Sequence, residues 1–510
     1  MDRSAAAPLL AGAPAEVQTP RKALRLAAAA LVGAAALAAA VHTLAAAVPS
    51  AATLTAAGPC APRPGDPGEL PLVAIVGGPP APLPHRSWVA RICTPLYTGP
   101  NCNTAKDWSG TVTLCVNGTA YYGAKLKTIG HVSKLFPKQQ FAIELPERHS
   151  SLGMAPARQW ALAMSYIDTS FQRDTTGFEI YRRLGGWATQ VRYCNVRWHD
   201  VDFGLYYIVE WVERGPGRLQ IPESNVAQPE RSGYLLTVDW PSNGTSNVRT
   251  PNTSTYFTFL YPKTPSRSQL DFVQGIADSV DELSASPGAG DLQKYLDFNS
   301  FARYFVTEEL AKDVDGYAFS DFVSVQHGKM FSAAPWDFDL AFGFACMPMY
   351  YTNALTGEDT AYSVAGWNVE NSRDDAGWIG PTGLPDGSIM YFGSNRRALF
   401  LHIWQSMEFR KVFAKMWKAA RAGPLSDSEL IGMVEERSAQ ISSSASRDVD
   451  LWRTSDRCAF FKCCHPEDTQ SFEAAHHHLS SFLVERARWI DGHVDALVGQ
   501  VPGHNTSAMK

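Results

Sequence analysis

Four carboxylates in two tight pairs, Asp313 with Asp315 and Asp337 with Asp339, constrain this chain more than any other feature. The second pair lies in Pro335-Trp336-Asp337-Phe338-Asp339-Leu340-Ala341-Phe342-Gly343, an otherwise apolar and aromatic run. A carboxylate is costly to bury without a partner, so acids in such a run need a reason. A hard cation is one, because magnesium and manganese take oxygen ligands and bridge one or two carboxylates to substrate phosphates. If residues 337–339 form a strand, its period of two puts both acids on one face and Phe338 on the other. The expectation is a phosphate-handling metal centre in the second half of the chain.

The remaining sequence sets the frame for such a centre. Its 510 residues suffice for two or three domains or one large two-lobed one. A 45% hydrophobic content with 14 Trp and 25 Phe belongs to a globular chain. The net charge of -5 argues against a nucleic-acid partner, which calls for a basic stripe. Nine cysteines without CxxC spacing read as a few disulfides plus one free thiol in an oxidising compartment.

Residues 1–25 are polar to basic and read as a cytosolic tail. Residues 26–48 are apolar, free of formal charge and long enough to span a bilayer. Arg21, Lys22 and Arg25 before them put the N-terminus in the cytosol and the rest across the membrane, as a type II anchor. A cleaved signal peptide is the alternative. Sequons at Asn117, Asn243, Asn252 and Asn505 agree with export and a glycoprotein. Residues 49–105, rich in Pro, Ala and Gly, read as a stalk.

Alternation over 111–145, broken at Asn117-Gly118 and at Ile129-Gly130-His131, predicts antiparallel strands. A helical period from Thr169 to Leu184 stops at Gly185-Gly186. The first lobe, 106–240, therefore reads as strand-rich with one inserted helix. The second, 241–500, reads as helical, with helices over 266–282, 299–312, 395–420, 426–442 and 480–498. The fold class expected is α+β, a strand-rich N-lobe and a helical C-lobe behind the transmembrane helix.

The ordered blocks between Lys125 and Phe342 resemble one known family, the spore-coat CotH kinases, which are atypical and protein-kinase-like. The blocks are Gly130-His131-Val132-Ser133, Pro137-Lys138, Trp160-Ala161-Leu162, and Tyr166-Ile167-Asp168 with Arg173. Then come Gly204-Leu205-Tyr206 with Glu210, Gly233-Tyr234-Leu235-Leu236, Asp297 to Phe301, Glu309-Leu310, Asp315, and Trp336 to Gly343. The resemblance implies transfer of the ATP γ-phosphoryl to Ser or Thr of exported proteins, with Mg²⁺ or Mn²⁺. It implies Asp315 as the base toward the substrate hydroxyl, and Asp337 with Asp339 as metal ligands. Lys138 would pair phosphate oxygens, with Gly130, His131 and Ser133 in the phosphate turn and Glu210 near the nucleotide.

Bland readings stand beside these. Asp313 reads as a solvated acid at a helix end. Asp315 could be a turn residue before Gly316, and Asp337 and Asp339 could be held by backbone N–H groups or Arg. Lys138 could be a surface lysine. Glu179 could pair with Lys138, though an exposed charge is the default. Arg173 reads as a structural ion pair, Trp336 as core, and His476-His477-His478 as surface. The family's Arg before the Gly of the phosphate turn is replaced by Ile129, which removes a multi-donor phosphate clamp; Lys127 lies on the same strand face. A weakened kinase, a non-catalytic surface binding protein on the same fold, and a lumenal glycan or metabolite kinase are the readings beside an active protein kinase.

Overall fold

Asn117 and Gly118 both take positive φ, 47° and 83°, the mirror-image turn that suits the twist of a tight hairpin. They join β2 (Ser109–Val116) to β3 (Thr119–Ile129), with Val116 opposite Thr119. The computed structural model describes residues 58–63, 65–78, 109–130, 133, 138–164, 166–239, 246–286, 291–344, 362–370, 397–452 and 470–499. It adds the backbone of two short strands at 379–380 and 390–391.

The meander continues through β4 (Gln140–His149) and β5 (Ala157–Ala163). After a helix it returns as β6 (Val191–Trp198) and β7 (Val201–Glu210). One further strand, β1 (Leu72–Val76), pairs antiparallel with β2 and parallel with β6. Together they close a seven-stranded barrel in the order β1-β2-β3-β4-β5-β7-β6. Residues 72–76 therefore belong to the N-lobe, although they lie inside the stretch read as a stalk. Val73 and Ile75 are fully buried there. Cys115, on β2, is disulfide-bonded, and Cys194, on β6, is a buried free thiol.

The inserted helix, α1 (Arg173–Arg183), starts four residues later than its periodicity suggests. The Asp168 carboxylate accepts the N–H groups of Ser170, Gln172 and Arg173 at 2.9, 3.1 and 3.0 Å and holds the chain in a turn first. At the other end Gly185, at φ 83°, and Gly186 return their N–H groups to Arg182 and Tyr181. That is the left-handed stop the two glycines predict.

The second lobe is not purely helical. It carries a five-stranded sheet in the order β12-β11-β8-β10-β9. The strands are β8 (Tyr234–Val238), β9 (Asn247–Arg249), β10 (Tyr256–Tyr261), β11 (Asp321–Gln326) and β12 (Lys329–Ala334). β8, within the stretch read as the N-lobe, thus pairs into this second sheet. Against this sheet pack α2 (Arg267–Ala285), with a Ser266–Gln269 capping box, and α3 (Phe298–Ala311), capped by Asp297.

The helix expected over 395–420 is two, α4 (Ala398–Gln405) and α5 (Met407–Arg421). Ser406, extended between them, caps the second through Phe409 N–H. Then follow α6 (Asp427–Trp452) and α7 (Phe472–His493). The histidine triplet lies inside α7, not before it. His476 Nδ1 is 2.6 Å from Ser438 Oγ, and only His477 is exposed. No helix among the described residues is long and apolar enough to cross a membrane. The span 26–48, the tail 1–25 and the sequons at Asn243 and Asn505 lie outside the described residues.

Candidate active site

The acids collect where α1 of the N-lobe meets the loops that follow α3 and β12. Lys312 turns left-handed at φ 49° and ends α3. The chain then folds back through Asp313, Val314 and Asp315, and Ala318 and Phe319 donate their N–H groups to the Asp315 carbonyl. Asp313 is buried, and its Oδ1 accepts Asp315 N–H at 3.2 Å. The reading of Asp313 as a solvated acid is therefore corrected. Burial, with Asp315 and Asp337 nearby, raises its pKa well above the ordinary range, against the lowering pull of Arg397.

A polar scaffold fixes this loop from below. Arg397 donates to the carbonyls of Asn368 and Val314, at 2.8 and 2.7 Å. Asn368 Nδ2 donates to Asp313 O at 2.9 Å. Glu309 accepts the N–H groups of Asn368 and Val369, the Tyr317 hydroxyl and the Arg486 guanidinium. A Cβ on Gly316 would stand 2.2 Å from Glu308 Oε2, so a side chain there would have to displace the buried Glu308 carboxylate.

The second pair of acids is not on a strand. β12 ends at Ala334, Pro335 follows, and Asp337 is left-handed at φ 69°. Strand alternation therefore does not bring Asp337 and Asp339 to one face. Phe338 is fully buried, and its ring fills the space a Cβ on Gly177 of α1 would need. Phe338 N–H donates to Asp174 Oδ1 at 2.6 Å, Arg173 Nε donates to Ala341 O at 3.1 Å, and Phe342 N–H donates to Ala311 O at 2.6 Å. Residues 338–342 are thus pinned between the start of α1 and the end of α3.

Asp337 is half-buried, with Ser320 Oγ donating to its Oδ2 at 3.3 Å. Burial first, then the charges of Asp174, Asp315 and Asp239, push its pKa up to about 8. Asp174 is raised to about 6 by burial and, more weakly, by Asp168; hydrogen bonds from Tyr207 and Phe338 work against the shift. Asp339, half-buried in the following turn, acts on the Tyr207 phenol and is not among the charges that dominate Asp337. Asp315 and Asp337 are brought within electrostatic reach of each other, and Asp339 within reach of Tyr207.

A divalent cation suits this donor set. The charges that weigh most on Asp337 are all acids, so an added positive charge would relieve both their repulsion and its raised pKa. The carboxylates do not yet converge: among the described residues no three His, Cys, Asp or Glu side chains form a ready ligand group.

The phosphate-side residues are placed differently. Lys138 is fully buried, ion-paired with Asp448 of α6, and donates to Leu205 O at 2.6 Å among the rings of Tyr206, Phe171 and Trp452. It is a core lysine rather than a surface one. Glu179 pairs with Arg182, Arg183 and Arg437 instead. Gly130 is exposed at the end of β3 at φ 103°, Ser133 is half-buried, and His131 lies outside the described residues. Ile129 is half-buried at the β3 end, with Lys127 exposed two residues before it. Glu210, fully buried, accepts Gln190 N–H at 3.0 Å through Oε2, while its Oε1 finds no donor among the described residues. Arg173 is the structural ion pair expected, with Asp168. Trp336 is half-buried rather than deep core, its ring 5.7 Å from Phe178 and 6.4 Å from Trp211.

Sequence reasoning missed Asp174, Asp239 and Arg397. For Asp174 a signal existed, since it directly follows Arg173 at the start of a helix. The family model described as CotH kinase protein matches residues 126–490. No curated protein matches the chain.

Proposed function

The chain belongs to the CotH kinase family, and from that premise we propose that it is an ATP-dependent phosphotransferase acting on Ser or Thr of exported proteins. The observation that carries the reading is the pocket of acids around Asp337, pushed to about 8 where its strongest neighbours are also acids. Such a group calls for a cation. In this reading Asp337, with Asp339, holds Mg²⁺ or Mn²⁺. When bound, the metal neutralises phosphate charge, which is most of what phosphoryl transfer asks of a protein. Asp315, half-buried at the loop tip, orients the acceptor hydroxyl and takes its proton. The reading keeps the protein as a type II membrane glycoprotein, with its catalytic part lumenal or extracellular and its substrates in the secretory pathway or at the cell surface.

A second reading has its own support. Lys138, the residue expected on phosphate, is enclosed in an ion pair with Asp448, and Ile129 replaces the arginine clamp. Both favour a catalytically weak or inactive surface binding protein on the same fold.

The test is label transfer from ATP with Mn²⁺, using the full chain because β1 closes the barrel. Wild type is compared with Asp315→Ala and Asp337→Ala. A loss of about 10²-fold or more is expected in each. Transfer that persists in both variants would remove the role assignments. A wild type with no nucleotide-dependent thermal shift would select the binding-protein reading.

A further inference from the structure

Resting on the reading of Asp337 as a metal carboxylate, we infer that Asp174 is the residue that positions it. Asp174 sits in the first turn of α1 and is half-buried. Its Oδ1 accepts the Phe338 N–H at 2.6 Å, and its Oδ2 accepts the Tyr207 hydroxyl at 2.6 Å. Each oxygen therefore already holds a donor, one from the metal-side loop and one from barrel strand β7.

The Phe338 N–H belongs to the peptide that joins Asp337 to Phe338. Fixing that peptide fixes ψ of Asp337, whose φ of 69° lies in a region that side-chain-bearing residues rarely adopt. A backbone held there needs surroundings that over-determine it. α1 supplies them three times: Asp174 grips the Phe338 amide, Arg173 grips the Ala341 carbonyl, and Gly177 admits the Phe338 ring. Tyr207 completes the device by locking Asp174 from the barrel side. The direction of the Asp337 carboxylate is thereby set by the N-lobe, although Asp337 itself comes from the C-lobe.

A carboxylate that positions and one that ligates respond differently to neutralisation. Asparagine keeps an oxygen for the Phe338 N–H and offers an amide to the Tyr207 oxygen. The experiment measures Mn²⁺ binding to the full chain by the electron paramagnetic resonance of the free ion. It adds amide hydrogen exchange, without metal, of the peptide spanning 337–342. The proteins are wild type, Asp174→Ala, Asp174→Asn, Tyr207→Phe and Asp337→Ala.

Asp174→Ala should weaken Mn²⁺ binding about tenfold or more, the usual effect of losing a group that orients a ligand. It should also speed exchange at Phe338, while Asp174→Asn restores both. Asparagine as damaging as alanine for binding, with exchange restored, would overturn the inference and make Asp174 a ligand. Unchanged binding in Asp174→Ala beside loss in Asp337→Ala would overturn it while leaving the metal reading intact. A wild type that binds no Mn²⁺ would overturn both. If Asp174→Ala does not fold, Tyr207→Phe decides. It keeps the ring and removes the hydroxyl that orients Asp174, so weaker Mn²⁺ binding is expected and unchanged binding overturns the inference.

Discussion

Asp337 combines two unfavourable conditions, a left-handed backbone and a carboxyl surrounded by acids. Tyr317 and Ser320 nearby are left-handed as well, at φ 67° and 59°. Strain of this kind collects at functional sites, and its electrostatic part has a consequence for pH. An acid with a pKa of about 8 when folded and near 3.8 when unfolded keeps its proton longer in the folded state. Between those values the folded protein binds more protons than the unfolded one, so stability falls as pH rises. Asp174, at about 6, acts in the same direction over the lower part of that range. Metal-free protein should therefore lose stability from about pH 4 to about pH 8 and level off above it. Mn²⁺ competes with the proton, so its stabilising effect should grow across the same interval, and Asp337→Asn should flatten both trends. Calorimetry in chelator and in Mn²⁺ measures this. A Mn²⁺ shift that is equal at the two ends would count against Asp337 as a ligand.

Among the elements, α6 links the lobes. It begins in the apolar cluster of α3 and α5, which Leu430, Met433 and Val434 join, and ends in the barrel. There Ile441, Ala445 and Trp452 join the apolar cluster of the barrel, and Trp452 Nε1 donates to Phe203 O at 3.0 Å. Asp448 is its anchor. It pairs with Lys138, accepts Leu205 N–H at 2.7 Å, and stands where a Cβ on Gly204 would be. Both charged side chains are fully buried. Removing one partner of such a pair strands the other charge, at a cost of about 3–5 kcal/mol. Asp448→Ala should lose about that much in denaturant unfolding, and adding Lys138→Met should return a good part of it. The same variants separate two roles for Lys138. A phosphate lysine predicts that Lys138→Met weakens nucleotide binding with stability intact, whereas a strap anchor predicts the reverse.

At the scale of the whole molecule, what could be read from the sequence follows from where local signals agree with the fold. Asn117-Gly118, Gly185-Gly186 and the Ser266 cap are local rules that the tertiary structure keeps. The second sheet was not legible because the run 233–240 reads as one more apolar strand of the first lobe, and nothing local shows that it pairs with β10 and β11 instead. Asp337 misled because Pro335 and a left-handed backbone break the strand that its spacing suggests. β1 was hidden by its setting: Leu72-Val73-Ala74-Ile75-Val76 is a short apolar run within a Pro-, Ala- and Gly-rich stretch. Yet it is the strand whose pairing with both β2 and β6 closes the barrel. Without it, two strand edges stand open, which invites association, and the barrel loses Val73 and Ile75 from its core. The barrel presents Tyr207 to Asp174, so its closure bears on the acids as well. A chain beginning at residue 58, which keeps the disulfide-bonded Cys60, should be monomeric and respond to Mn²⁺ as the full chain does. One beginning at residue 106 should elute as aggregate in size-exclusion chromatography. If the shorter chain instead stays monomeric and keeps its Mn²⁺ response, β1 is dispensable and the barrel's support of the acids does not depend on closure.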